Sequence, residues 1–221
     1  MASRDKQSAG PGGRGARRRQ QTRAKLIRAA HELMAEKGIG ATTIQEITDT
    51  ADVGFGSFYN HFESKEAIVQ AIVDETIESY GNALDHIADA VEDPAEIVAA
   101  SVRYVVMRGC EDPTWGWFLI RAALMAQALR TGLGRRLVRD LRLGVEAGRF
   151  RVGDVTYATL AISGVALSVL AGRLHGELGA DAPENAAAVA LKLLGLSARQ
   201  AQAIASRPLP EIPFGSRNAA A

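Results

Sequence analysis

From residue 26 onward, Leu26, Ile27, Ala30, Leu33 and Met34 recur at intervals of three and four. That spacing places side chains on one face of a helix. It predicts a helix from about residue 20 that ends at Gly38, because glycine takes the left-handed conformation that closes a helix at no steric cost. A second helix opens in ATTIQEITDTADV. There Thr43 and Glu46 have the T-x-x-E spacing of a capping box, in which hydroxyl and carboxylate satisfy free N–H groups of the first turn. Ile44, Ile47 and Ala51 point one way. Only Asp52, Val53 and Gly54 separate them from FGSFYNHF, room for a tight turn and nothing more. Two short helices joined by such a turn form the helix-turn-helix pattern. Phe58 and Phe62, four apart, are assigned to a small core with Leu26, Ile47 and Val53. Gly56 and Asn60 then face directly away, flanked by Ser57 and Tyr59.

Ser64 caps the next predicted helix, with Glu66 in its first turn, and Glu92-Asp93-Pro94 breaks it near residue 91. Further helices are predicted at about 94–110, 114–130, 133–148, 154–178, 184–195 and 197–206, with proline or glycine between them. No stretch sustains a period of two, so the fold class is all-α, with a three-helix N-terminal domain and a larger helical C-terminal domain. The expected organisation is a disordered, Gly/Ser/Arg-rich extension (1–16), a helix-turn-helix domain (17–66), a helical domain (67–206) and a loose Pro-rich tail (207–221). Residues 155–172 carry no charge over 18 positions, the lower edge of membrane-span length. Ala, Gly, Ser and Thr make up most of the run, so a buried helix is expected rather than a span.

Composition alters this picture little. Hydrophobic residues form 47% of the 221, enough for a sizeable core, and the net charge is +1. The distribution matters more: residues 1–30 hold nine Lys/Arg and one acid, leaving the remainder at −7. A basic end on an acidic body is what an arm that meets a polyanion requires, although a solvated tail has the same composition. The single cysteine, Cys110, permits no intrachain disulfide and fits a reducing cytoplasm. No apolar leader segment opens the chain. Neither the four histidines nor Cys110 stand at metal-ligand spacing, and no phosphate-binding loop, dinucleotide fingerprint or nucleophile elbow occurs. No enzyme, metal or cofactor is therefore expected.

ATTIQEITDTADVGFGSFYNHFESKEAIVQAIV resembles the DNA-binding region of the tetracycline-repressor (TetR) family, through its threonine pair, its FYNHF core and its SKE helix start. The resemblance covers about residues 20–70. It implies a ligand-responsive transcription regulator, most often a repressor, acting as a homodimer on a pseudo-palindromic duplex operator. Motif position and geometry make Thr43, Tyr59, His61 and Lys65 candidate phosphate contacts. Gln45 and Asn60 carry amides, which pair with adenine through two hydrogen bonds. Gly56 and Ser57 line the approach, and Arg17, Arg18 and Arg19 either follow the DNA backbone or form a solvated run. At two positions the chain departs from the family: Gly54 replaces a common hydroxyl, and Phe55 replaces a polar residue. Phe55 sits at the edge of the Phe58/Phe62 face, so it either meets a thymine methyl or folds toward the core.

The resemblance also places an effector pocket in the C-terminal domain. Tyr104, Met107, Trp117, Phe118, Arg121, Met125 and Tyr157 are the candidates, a set suited to a flat, largely apolar effector. Trp115 lies about 200° around the helix from Trp117 and cannot share its cavity. Gly164, Ser168, Gly172 and Gly176 form a small-residue stripe that, with Ala187 and Leu191, resembles the family's four-helix dimer interface. The alternative is that the stripe packs inside its own subunit. The alternative function is a helical small-molecule-binding dimer without specific DNA binding.

Overall fold

A computed structural model of the chain describes residues 11–123 and 132–211. The start of the expected extension (1–10), the end of the expected helix 114–130 and most of the expected tail (212–221) lie outside the described residues. Among the described residues every regular element is a helix. Two compact units are present, divided between Glu75 and Thr76, nine residues beyond the expected boundary at 66/67.

The first unit contains α1 (Pro11–Lys37), α2 (Ile44–Thr50), α3 (Phe55–Tyr59) and the start of α4 (Lys65–Ala90). Helix α1 begins well before residue 20, so residues 11–16, expected to be disordered, are helical. Arginine and alanine after Gly15 are strong helix formers, and proline is tolerated in a first turn. Gly38, at φ +85°, ends the helix as expected. Leu26, Ile47, Phe58 and Ile68 are fully buried, with Phe62 beside them. Burying side chains of this size contributes about 1.5–3 kcal/mol each, and that is what holds a five-residue helix in place.

The second unit holds the rest of α4 with α5 (Pro94–Glu111), α6 (Pro113–Ala123), α7 (Gly132–Glu146), α8 (Val155–Leu174), α9 (Ala182–Leu193) and α10 (Ala198–Ala205). Asp93, Asp154 and Ser197 cap α5, α8 and α10 through their side chains. The main core joins Val98, Val102 and Val106 of α5 to Leu141, Ile162, Leu191, Leu194 and Ile204. A second cluster packs Tyr80, Leu84 and Ile87 of α4 against Ile97 and Tyr104 of α5.

Helix α8 departs from its expected burial. It is long and apolar enough to cross a membrane by length and composition alone, and 28% of its apolar window is buried. Thr159, Ile162, Ala166, Leu170 and Gly172 face the core. The opposite face, with Tyr157, Leu160, Ala161, Gly164 and Ser168, is exposed. The helix also ends earlier than residue 178: His175 is its C-cap, and Gly176, at φ +75°, makes the turn that stops it.

Candidate nucleic-acid and effector sites

In the first unit the threonine–glutamate pair closes the expected capping box. The Thr43 hydroxyl accepts from the Glu46 amide at 3.3 Å, and the Glu46 carboxylate accepts from the Thr43 amide at 2.9 Å. Lys37 also donates to Glu46, and that hydrogen bond, with those from Thr43, holds the carboxyl down at about 2. The turn to α3 places Asp52 at φ +53°, a left-handed conformation that Asp and Asn adopt more readily than other side chains. Gly54 is the N-cap of α3, and no side chain caps it.

Helix α3 then presents Phe55, Gly56, Tyr59 and Asn60 to solvent, with Ser57 and His61 half-buried. Phe55, open between two expectations, turns outward: it is 47% exposed and meets the exposed Tyr59 edge-on at 5.7 Å. Gln45 is exposed on α2, its amide donating to Asp49 at 2.8 Å. Burial, then the charges of Arg19 and Arg23, pushes the His61 imidazole below its usual range. Arg17, Arg18 and Arg19 are exposed on α1. Lys65 does not stand free for a phosphate. Its ammonium donates to the carbonyls of Ile39 and Thr42, each at 3.0 Å, and so ties down the loop between α1 and α2. Loop carbonyls turned away from water need a donor, and the ammonium supplies it.

In the second unit the described pocket candidates, Tyr104, Met107, Trp117 and Tyr157, fall in three places. Tyr104 and Met107 line a 430 Å³ cavity with Arg108, Glu111, Leu209 and Pro210. Trp117 is half-buried and meets His175 edge-on at 4.8 Å. Tyr157 is 76% exposed and lines no interior space within the subunit, because α8 turns it away from the core. Phe118 and Arg121 lie on α6 with side chains outside the described set, and Met125 lies outside the described residues.

Sequence reasoning missed a charged cluster between α4 and α7. Asp140 is 4% exposed, the one charged side chain in the buried set among the described residues. Arg139 donates to it at 2.8 Å and to Asp85 at 2.8 Å. Arg136 donates to Asp85 at 2.8 Å and to Glu78 at 3.0 Å. Its guanidinium lies against α4 at Gly81, in space that any Cβ there would occupy. Burial raises the Asp140 carboxyl above its ordinary value. Burial acts the same way on Asp85, but hydrogen bonds from Arg136 and Arg139 outweigh it and leave that carboxyl lowered. One signal was available: Asp140 falls on the face of α7 that carries Leu137, Leu141 and Gly144.

The expected dimer residues divide. Gly164 and Ser168 are exposed. Ala187 and Leu191 are fully buried within the subunit's own core and present nothing to a second copy. Gly172 is buried against Leu178, and Gly176 forms a turn. The apolar side chains that α9 leaves exposed are Val189 and Leu193, at 38% and 48%.

A helix-turn-helix presented from a small core, joined in sequence to an all-α domain, defines a class of DNA-binding regulator. Residues 26–72 match the family model for bacterial regulatory proteins of the tetR family, and residues 93–207 match that for the tetracyclin repressor-like C-terminal domain. The chain belongs to the TetR family and is a ligand-responsive DNA-binding regulator. It is similar to RolR, solved in complex with resorcinol: 41% identity, TM-score 0.74, covering 89% of this chain and 98% of that one. Ligand-free RolR is 40% identical with a TM-score of 0.71, covering 86% and 99%. The transcriptional regulator TtgR of Pseudomonas putida is 37% identical over 78 residues, 35% of each chain. The repressor KstR2 of Mycolicibacterium smegmatis is 32% identical over 74 residues, 34% of this chain and 36% of that one. The matched stretch thus spans about a third of these curated relatives.

Proposed function

We propose that the protein is a cytoplasmic, homodimeric repressor that leaves a pseudo-palindromic operator when a small hydroxylated aromatic binds its C-terminal domain. The observation that carries the effector class is the 430 Å³ cavity of the second unit, where Tyr104 and Met107 stand beside the Arg108 guanidinium and the Glu111 carboxylate. A purely apolar molecule seated there would strip water from the charged groups at the cavity's edge and return no hydrogen bonds, at about 1–3 kcal/mol for each one lost. A phenolic hydroxyl donates to a carboxylate and accepts from a guanidinium. The resorcinol in the structure of RolR, at 41% identity, supports the same ligand class.

On the DNA side, Asn60 and Gln45 are the base readers, with Phe55, Gly56 and Ser57 beside them. Gly54, Thr43, Tyr59, His61 and the arginine run lie along the backbone. Exposure supports this assignment, whereas Lys65 serves the loop. The subunits meet through the exposed faces of α8 and α9, a revision of the expected interface that keeps Gly164 and Ser168 and adds Tyr157, Leu160, Val189 and Leu193. An effector that prefers the DNA-free arrangement lowers operator affinity, and operator must weaken the effector by the same factor.

Calorimetric titration with resorcinol tests the effector class. Wild-type protein should bind it, and Glu111→Gln, which keeps shape but removes the charge, should weaken binding about 10–100-fold with helix content unchanged, as expected for a hydrogen bond to a charged group. Equal binding by both proteins, or no binding of phenols by either, would remove this cavity from the effector site.

A further inference from the structure

The 430 Å³ cavity of the second unit is built by two stretches of chain. Four of its lining residues, from Tyr104 to Glu111, belong to α5; the other three, Leu209 to Glu211, follow α10. Without the second set, the first would lie on the open side of a single helix. The match to the tetracyclin repressor-like C-terminal domain stops at residue 207, just short of these three. The stretch from Arg207 to Glu211 is held across α5 as a strap. Arg103 of α5 donates to the Arg207 carbonyl and, at 2.8 Å, to Glu184 of α9. The Arg207 guanidinium donates to Glu96 in the first turn of α5. Leu209 is half-buried, packed against the cluster of Tyr80, Ile97 and Tyr104. Pro208 and Pro210 fix their own φ and turn the residue before each toward an extended backbone. A strap so stiffened has little freedom left to lose when a ligand packs on it.

We propose that residues 208–211 are the outer wall of the effector site, and that Leu209 packs on the ring of the hydroxylated aromatic while Glu111 and Arg108 take its hydroxyl. This role for Leu209 rests on the effector reading above and adds a contact from beyond the matched domain. The division of labour follows from the lining: α5 brings the charged groups that orient a hydroxyl, and the strap brings apolar surface for the ring. Ring and strap then order each other.

Calorimetric titration with resorcinol and amide hydrogen exchange, both on the whole chain, test this role in wild type, Leu209→Ala and Leu209→Met. Leu209→Ala shortens the wall and leaves the charged groups in place. It should weaken resorcinol about three- to tenfold, as expected for a half-covered apolar side chain. Leu209→Met keeps the volume and should bind within about twofold of wild type, which a general loosening of the strap would not allow. Resorcinol should also slow exchange at the strap amides, those of Leu209 and Glu211 since the prolines carry none. That protection should shrink in Leu209→Ala. Wild-type affinity in Leu209→Ala with strap amides that resorcinol leaves unprotected, while Glu111→Gln still weakens binding, would overturn the strap's role alone. Leu209→Met as weak as Leu209→Ala would overturn the ring contact as well. Resorcinol that fails to bind wild type, or binds Glu111→Gln equally, would overturn the effector reading and this proposal together.

Discussion

Leu191 and Leu193 stand two residues apart on α9 and should behave in opposite ways. Leu191 is 0% exposed, packed in the main core of the second unit, whereas Leu193 is 48% exposed. Truncating a fully buried leucine typically costs about 2–5 kcal/mol, because a cavity adds to the lost transfer energy. Against a total stability of about 5–15 kcal/mol, Leu191→Ala should move the denaturant midpoint sharply. Leu193→Ala removes little from the isolated subunit. If its free half is covered by a second copy, about 1 kcal/mol is lost per copy, half the value for complete burial. A two-fold interface counts that loss twice, so the dimer weakens by about 2 kcal/mol, or about 30-fold in dissociation constant. Sedimentation velocity across a dilution series reads the second effect. Urea unfolding at fixed protein concentration reads the first, which matters because unfolding of a dimer depends on concentration. Unfolding of the Leu193 variant as severe as that of the Leu191 variant would refute the assignment of faces. A Leu193 variant that dissociates like wild type would refute the interface.

Three further outcomes follow from the sites. Asn60→Ala should cost about 1–3 kcal/mol at one base position and relax preference there; equal loss on operator and random duplex in a binding-site selection would show that Asn60 does not read sequence. Thr43→Ala removes the cap of α2 and should lower stability by about 1 kcal/mol in urea unfolding; an unchanged midpoint would mean the Lys37–Glu46 contact suffices alone. Arg149 grips Asp93 through two hydrogen bonds, at 2.8 and 3.0 Å, and holds its carboxyl below the ordinary value of 3.8. A depressed folded pKa stabilises above the ordinary value and is lost as pH falls through the folded one, so Asp93→Asn should be less stable than wild type at about pH 6 and converge with it in acid. A difference that persists at about pH 2, below the carboxylate range, would assign the loss to the α5 cap instead.

Local chemistry explains what the sequence disclosed. The capping box, the buried Phe58 and Phe62, and the breaks at proline and glycine depend on neighbours within a few residues, and periodicity reveals them. Facing is a different matter. On α9 nearly every residue is apolar, so pattern alone does not separate the buried Ala187 and Leu191 from the exposed Val189 and Leu193; packing against α5 and α8 makes that choice. The small-residue stripe on α8 divides for a related reason, since Gly172 serves the subunit's own Leu178 while Gly164 and Ser168 stay exposed. Lys65 is out of reach of local pattern because the carbonyls it meets belong to residues more than twenty positions earlier. The charged cluster is hidden because Asp85 and Asp140 are distant in sequence, and only the acid on the apolar face of α7 hints at it. Exposure alone decides four positions that pattern left open or misjudged: Phe55 faces out, Tyr157 faces out, and Gly164 and Ser168 stay open on α8.

A DNA-binding regulator released by a hydroxylated aromatic should reveal itself most directly in fluorescence anisotropy of the upstream duplex with this protein, titrated with resorcinol. The account predicts saturable binding that resorcinol reverses in wild type and reverses only at much higher concentration in Glu111→Gln. Tight binding that no phenol disturbs, or an absence of binding to any duplex at low salt, would contradict it.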